Sequence, residues 1–340
     1  MQKSATSYQS RECCPTDYSN DNLLFFSLVD YKNNYFISNN PNKIVEFYDS
    51  FENRDQLTQW MKERPNGTAT IIEVDGDKEI IVVIPTPDFN GKYAKECREN
   101  VFKGLHIIFV ESGEFPDPYF NYAHNCNVGI RKAMEYNPKW VVVSNDDITS
   151  TFSPEYLINE LSKIDYNTFN IVLTKGSRQS ATKTSVCKFS KFGIFIYSVL
   201  SYIHLIRVVD KKHEIFLMSA KLNMALGNKY FVLGNRKSFF NLFIKRIYSY
   251  YNFEAFGIFS SGFINNISQL FDETYINAHE DQDVSIVLSK EPIRISWINY
   301  RIEGVGGISM GNNLQRGLRT IASDCYLNFK IEQGLLINIK

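Results

Sequence analysis

The stretch EIIVVIPTP, Glu79 to Pro87, governs how the chain is read. It is an almost unbroken β-branched apolar run stopped by two prolines. A strand apolar on both faces belongs in a parallel sheet covered by helices. Working outward, Gly91 to Asn100 predicts a helix, LHIIFVES (Leu105 to Ser112) a second strand, Asn125 to Tyr136 another helix, and KWVVVSNDD (Lys139 to Asp147) a third strand. This alternation predicts right-handed βαβ units and a mostly parallel, doubly wound, Rossmann-like α/β sheet flanked by helices.

Ligands of such sheets sit beyond the carboxyl ends of the strands. The three predicted strands end there in Thr86, in Glu111 and Ser112, and in Asn145, Asp146 and Asp147. Adjacent carboxylates at a strand end suit a hard divalent cation such as Mg²⁺ or Mn²⁺. The bland alternative is that one of them caps a helix beginning near Ser153. A second acidic cluster, FDETYINAHEDQDVSIVLSK, carries Asp272, Glu273, Glu280, Asp281 and Asp283 ahead of an apolar helix face. A helix dipole accounts for one or two acids in a first turn, not for five.

At 340 residues the chain is long enough for one large α/β domain with an accessory piece. Residues 1–77 are expected to form a small N-terminal α/β appendage. Its strands would be LLFFSLVDY, YFIS and TATIIEV, around a helix near Asp55 to Arg64, and the turn Asp75-Gly76-Asp77 would close it off from a main domain over 78–340. The 37 basic and 37 acidic residues cancel, and 44% apolar residues describe an ordinary folded protein. The six cysteines form no CxxC pair, there is no basic start with an apolar leader, and no run is long enough to span a bilayer; these point to a cytoplasmic chain. No GxGxxG or GxxxxGK[ST] occurs, and the five histidines form no HxxxH or HExxH spacing.

The series IIVVIPTP, IIFVES, HNCNVGIRKA, WVVVSNDDI, FDETYINAHEDQDVSIVL and GGISMG, from Glu79 to Phe329, resembles the inverting family 2 glycosyltransferases of the GT-A fold, in their rhamnosyltransferase-like branch. The resemblance implies a nucleotide-sugar donor held near Pro85, Thr86, Glu111, Asn125, Asp146, Gly306, Gly307 and Ser309. It implies a Mn²⁺ or Mg²⁺ cofactor on Asp147, with Asn145 at the first position of the DxD-type motif. The family's histidine ahead of the GGxS-like loop is missing, and Glu303 is the oxygen ligand expected in its stead. Glu280 and Asp281 match the family's ED pair, with Asp281 as the base that activates an acceptor hydroxyl.

Between Lys175 and Arg246 stand fourteen cations and two acids. Within this basic, aromatic insertion (176–252), KFSKFGIFIYSVLSYIHLIR is apolar around most of a helix. RKSFFNLFIKRIYSYYNF interleaves rings with Arg236, Lys237, Lys245 and Arg246. Cations and rings of this kind suit an anionic membrane surface, which would place the chain on the inner face of the membrane beside a glycan or lipid-linked acceptor. A buried helix with a solvated basic face is the plainer alternative, and single-stranded nucleic acid is disfavoured because no recognition motif accompanies the rings. Two other functions stay open. One is a catalytically degenerate binding or scaffold protein of the same fold at the membrane; the other is a nucleotidyltransferase, for which PTPDFNGK is a poor phosphate loop.

Overall fold

The computed structural model describes residues 31–113, 117–168, 171–175, 181–188, 192, 195, 222–234, 245–254, 256–290, 294–304 and 314–337. In chain order the first half gives α1 (Pro41–Asp49), α2 (Arg54–Glu63), β1 (Thr70–Val74), β2 (Asp77–Thr86), α3 (Lys92–Glu96), β3 (Leu105–Glu111), α4 (Tyr122–Met134), β4 (Trp140–Ser144), β5 (Ile148–Ser150) and α5 (Pro154–Ser162). There follow β6 (Ile171–Thr174), β7 (Thr182–Lys188), β8 (Tyr230–Gly234), β9 (Lys245–Asn252), β10 (Phe256–Ser260), α6 (Ser261–Asn265), α7 (Glu280–Lys290), β11 (Ile295–Ile298), β12 (Ile302–Gly304) and α8 (Leu314–Gln333).

The central sheet has the order β1-β3-β2-β4-β10-β6-β11. Strands β3, β2, β4, β6 and β11 run in one direction, and β1 and β10 run against them. The chain is thus a mixed α/β protein with a largely parallel central sheet flanked by helices. The period of two along β2 explains both covered faces. Ile81 and Val83 pack toward α4 with Cys126 and Ile130, while Ile80, Val82 and Ile84 pack toward Ala94, Phe102, Leu157 and Leu161 on the other side. Helix α4 lies close to the sheet because Gly129 has no side chain: a Cβ there would fall 2.3 Å from a methyl of Val83 and 2.9 Å from one of Val110.

Three expectations change. The Asp75-Gly76-Asp77 turn does not divide two bodies, because β1 and β2 on either side of it belong to one sheet. The segment YFIS is not a strand: residues 31–36 are helical, and Phe36 packs with Phe47, Trp60, Leu318 and Ile321 in a core shared by α1, α2 and α8. Far from being an appendage, the described N-terminal region covers the C-terminal helix.

The described parts of the insertion are not mainly helical either. Strands β8, β7 and β9 form a three-stranded antiparallel sheet. The interleaving of rings and polar residues in β9 is strand alternation: Tyr248 and Tyr250 join the core with Val186, while Ile247 and Tyr251 are exposed. Most of Lys188 to Arg207, the expected apolar helix, lies outside the described residues.

Candidate functional site

The carboxyl ends of β2, β3 and β4 converge on a polar patch. Thr86 closes β2, and its hydroxyl donates to Asp146 Oδ2 at 2.8 Å. Burial, with the neighbouring Asp147 charge adding, pushes the Asp146 carboxyl up to about 6. Asp146 therefore pins the end of β4 to the end of β2. Glu111 closes β3 and accepts the Phe89 amide at 2.8 Å, which holds the loop after β2. Neither Asp146 nor Asp147 caps α5, whose N-cap is Ser153. Asp147 is 5% exposed, and its Oδ1 has no hydrogen-bond partner. A buried carboxylate oxygen left in that state is costly to the fold.

Asn145, the remaining polar residue at this strand end, leads to the second acidic cluster. Its Oδ1 accepts the Tyr122 hydroxyl at 2.8 Å. Tyr122 opens α4, and its backbone amide donates to Asn277 Oδ1 at 2.8 Å. Asn277, with φ 55°, and His279, with φ 70°, both sit in the left-handed region two and four steps into INAHED. Such backbone is uncommon outside glycine and is held here by tertiary contacts. Asn277 also donates to the Phe120 carbonyl, and His279 Nε2 lies 2.7 Å from Asp324 Oδ1. The acidic loop is thereby locked against the N-terminus of α4.

The five acids of this loop divide into two kinds. Asp272 accepts from the Tyr326 hydroxyl and from Lys330, and Asp283 pairs with the same Lys330 at 2.5 Å. Glu273 accepts from Asn66 and Asn127 and pairs with His124 Nδ1 at 2.7 Å. These three hold the loop to its surroundings. Glu280 is 8% exposed, its Oε2 has no hydrogen-bond partner, and no ion pair at contact distance reaches it among the described residues. Burial, with the Asp281 charge adding, pushes its carboxyl up to about 8. Asp281 is also raised by burial, against which Asn252, His279 and the Gln282 amide act. Tyr122 links the two clusters, its hydroxyl on Asn145 and its amide on Asn277 of the acidic loop. Burial raises its hydroxyl well above the usual tyrosine range, and the charges of Glu280 and Asp281 raise it further.

The other sequence-derived positions fall as follows. Pro85 lies in β2 opposite Val110. Asn125 is 1% exposed on α4, and its Nδ2 has no partner. Glu303 lies in β12, which pairs antiparallel with β5 just after Asp147 and sets Glu303 opposite Thr149. Gly306, Gly307 and Ser309 lie outside the described residues. Among the described residues, no three His, Cys, Asp or Glu side chains form a ready-made metal cage. Asn145's oxygen, the atom that would ligate, is taken up by Tyr122. That leaves Asp147 Oδ1 as the clear oxygen donor. A Mg²⁺-type site held by one or two carboxylates plus substrate phosphates needs little more from the protein.

Sequence reading missed Tyr122, Asn252 and Asn277. The first opens a helix after a loop, which is a weak signal, and nothing local marks the others. No protein-family model, curated protein or solved structure matches the chain.

Proposed function

We propose that the chain is a metal-dependent, inverting glycosyltransferase of the GT-A type that moves a sugar from a nucleoside-diphosphate donor to a hydroxyl acceptor. One observation carries this reading. The strand end bearing Asp147 and the loop that leads into Glu280 and Asp281 are tied together through Tyr122, whose hydroxyl bonds Asn145 and whose amide bonds Asn277, and each brings a buried carboxylate oxygen with no hydrogen-bond partner. Supporting it are one reversed strand, β10, inside an otherwise parallel run, and the small β5/β12 sheet that follows Asp147.

A departing diphosphate gathers negative charge as the glycosidic bond breaks. Mn²⁺ or Mg²⁺, when bound, neutralises that charge. Asp147, with Glu303 as the second oxygen donor, would hold it. Thr86 and Asp146 fix the strand ends beneath the donor, while Glu111 orders the loop beside it and Asn125 offers an amide N–H. Asp281 takes the proton of the acceptor hydroxyl, which attacks from the face opposite the diphosphate and inverts the anomeric carbon. Base catalysis of this kind contributes roughly 10²- to 10⁴-fold. Glu280, protonated around neutrality, adds no second negative charge beside the base.

The acceptor is proposed to be glycan or lipid-linked at an anionic membrane face. Lys183, Lys188, Lys245, Arg246, Ile247 and Tyr251 are exposed around β7 and β9, and Phe192 and Phe195 are exposed as well. Among the described residues no helix is long and apolar enough to cross a membrane. A second reading, a degenerate binder of the same fold, is favoured by the engagement of Asn145's oxygen with Tyr122. The test is release of nucleoside diphosphate from UDP-, GDP- and dTDP-sugars with Mn²⁺. Release that disappears in Asp147→Asn and Asp281→Asn supports the transferase. Binding of a nucleotide sugar without turnover supports the binder, and absence of both defeats the proposal.

A further inference from the structure

Asp281 is reached from the insertion, and the contact is built with unusual care for a loop crossing. Strand β9 starts at exposed Lys245 and Arg246 and ends at Asn252, which is fully buried. Asn252 Nδ2 donates to Asp281 Oδ2 at 2.6 Å. The other end of the same amide is also fixed, because Ser285 Oγ donates to Asn252 Oδ1 at 2.8 Å. Ser285 lies one turn further along α7 and is 3% exposed. A hydroxyl that donates to the amide oxygen leaves only the amide N–H for the carboxylate, so the amide cannot rotate without losing both bonds. The Tyr250 hydroxyl donates to Gln282 Oε1 at 2.5 Å, a second tie from β9 to the residue after Asp281.

We infer that Asn252, oriented by Ser285, is a positioning residue that aims the Asp281 carboxylate, and that the basic insertion therefore contributes to the chemistry of the site. The inference rests on the reading of Asp281 as the base. A neutral amide is the apt donor here. It favours the carboxylate form against the burial that opposes it, yet it cannot pass on a proton as a histidine would. An arginine or lysine would bind the carboxylate more strongly and draw it away from the acceptor proton.

Among the described residues, charged and titratable groups near Asp281 come from several elements, with Asp283 on its own helix. Glu280 and His279 adjoin it in the turn, Tyr122 faces it from α4 and Tyr250 from β9; from α8, Arg316 acts on Glu280 and Asp324 pairs with His279. None of the bonds these groups make replaces the amide of Asn252 on Oδ2.

The experiment compares wild type, Asn252→Leu and Ser285→Ala by the pH profile of kcat/KM for hydrolysis of the UDP-, GDP- or dTDP-sugar that the wild type turns over. Nucleoside-diphosphate affinity and thermal melts are measured alongside. Loss of a hydrogen bond to the carboxylate should move the acid limb upward by on the order of one pH unit in Asn252→Leu, with affinity for the diphosphate unchanged. Ser285→Ala should move it the same way by less, and this variant carries the test if Asn252→Leu does not fold. A fall in turnover with a stationary acid limb in both variants overturns the inference, since damage to the fold alone would do that. A wild type that turns over no nucleotide sugar defeats the transferase reading together with this one. Wild-type turnover lost in Asp281→Asn, beside unmoved profiles in the other variants, defeats the role of Asn252 alone.

Discussion

Asp283 and Glu280 lie one helical turn apart at the start of α7, both nearly buried, and the fold treats them in opposite ways. Asp283 meets Lys330 at 2.5 Å, a cation brought from α8 and shared with Asp272. Glu280 lies beside Asp281 with no cation at contact distance among the described residues, and burial with the Asp281 charge pushes its carboxyl up. The first arrangement stabilises the chain. The second is a cost, and buried groups held at a cost tend to mark sites where charge is used. The difference separates acids that build the loop from acids that the loop presents.

The largest effect expected from this contrast is on turnover. Asp281→Asn should lower kcat for donor turnover by roughly 10²- to 10⁴-fold while nucleoside-diphosphate affinity stays near that of wild type. Equal losses in affinity and kcat would place Asp281 among the donor-binding groups instead.

On the other side of the comparison, Lys330→Met removes the cation that Asp283 shares with Asp272. Breaking a buried pair from one side costs about 3–5 kcal/mol, so denaturant unfolding should show a large drop in stability. A mild loss would mean that the pair contributes little beyond the cost of its own desolvation.

Glu280→Gln should act in the reverse sense, raising stability near pH 8 by roughly 1–2 kcal/mol, and, being as neutral as the protonated acid, should leave turnover near pH 7 close to that of wild type. The sign follows from protonation. Glu280 is held up to about 8 by burial, so the folded chain keeps a proton that the unfolded chain has already released. This contribution to stability is present below the ordinary glutamate range and is lost as pH rises toward that raised value. Asp146, raised to about 6, has the same sign over a lower window. Melting temperatures followed from about pH 5 to about pH 9 should fall in wild type and flatten at the upper end in Glu280→Gln. A wild-type profile that rises over that range would contradict the burial argument.

The smallest effect lies away from the acids. Neutralising Lys183, Lys188, Lys245 and Arg246 together should weaken flotation with anionic liposomes, at on the order of 1 kcal/mol per cation, and leave donor hydrolysis in solution unchanged. Flotation that does not depend on these cations would place the acceptor side elsewhere.

Much of this framework was legible in the sequence, for a physical reason. The runs around Ile80–Pro85, Leu105–Val110 and Trp140–Val143 are apolar at every position but His106 because both sheet faces are covered, and their ends are polar because a sheet of this kind opens there. The reversed β10 was not legible, since direction leaves no trace in a short apolar strand. The strand in the insertion was not legible because rings alternating with polar residues fit an interfacial segment as well as a strand with Tyr248 and Tyr250 turned inward. The acidic loop could be found but not sorted. The residues that sort it lie far away in sequence: Lys330 is 47 positions from Asp283, Asn127 is 146 from Glu273 and Asn252 is 29 from Asp281. Tyr122, 23 positions ahead of Asn145, is equally invisible until the helix and strand end meet.

The central claim is that the Asp147 strand end and the Asp281 helix start serve one reaction. Donor turnover in Asp147→Asn, Asp281→Asn and the double variant tests it most directly, because groups that act as a unit are strongly non-additive. The account predicts a double variant no slower than the worse single one. Losses that multiply in the double variant would show two independent sites and contradict it.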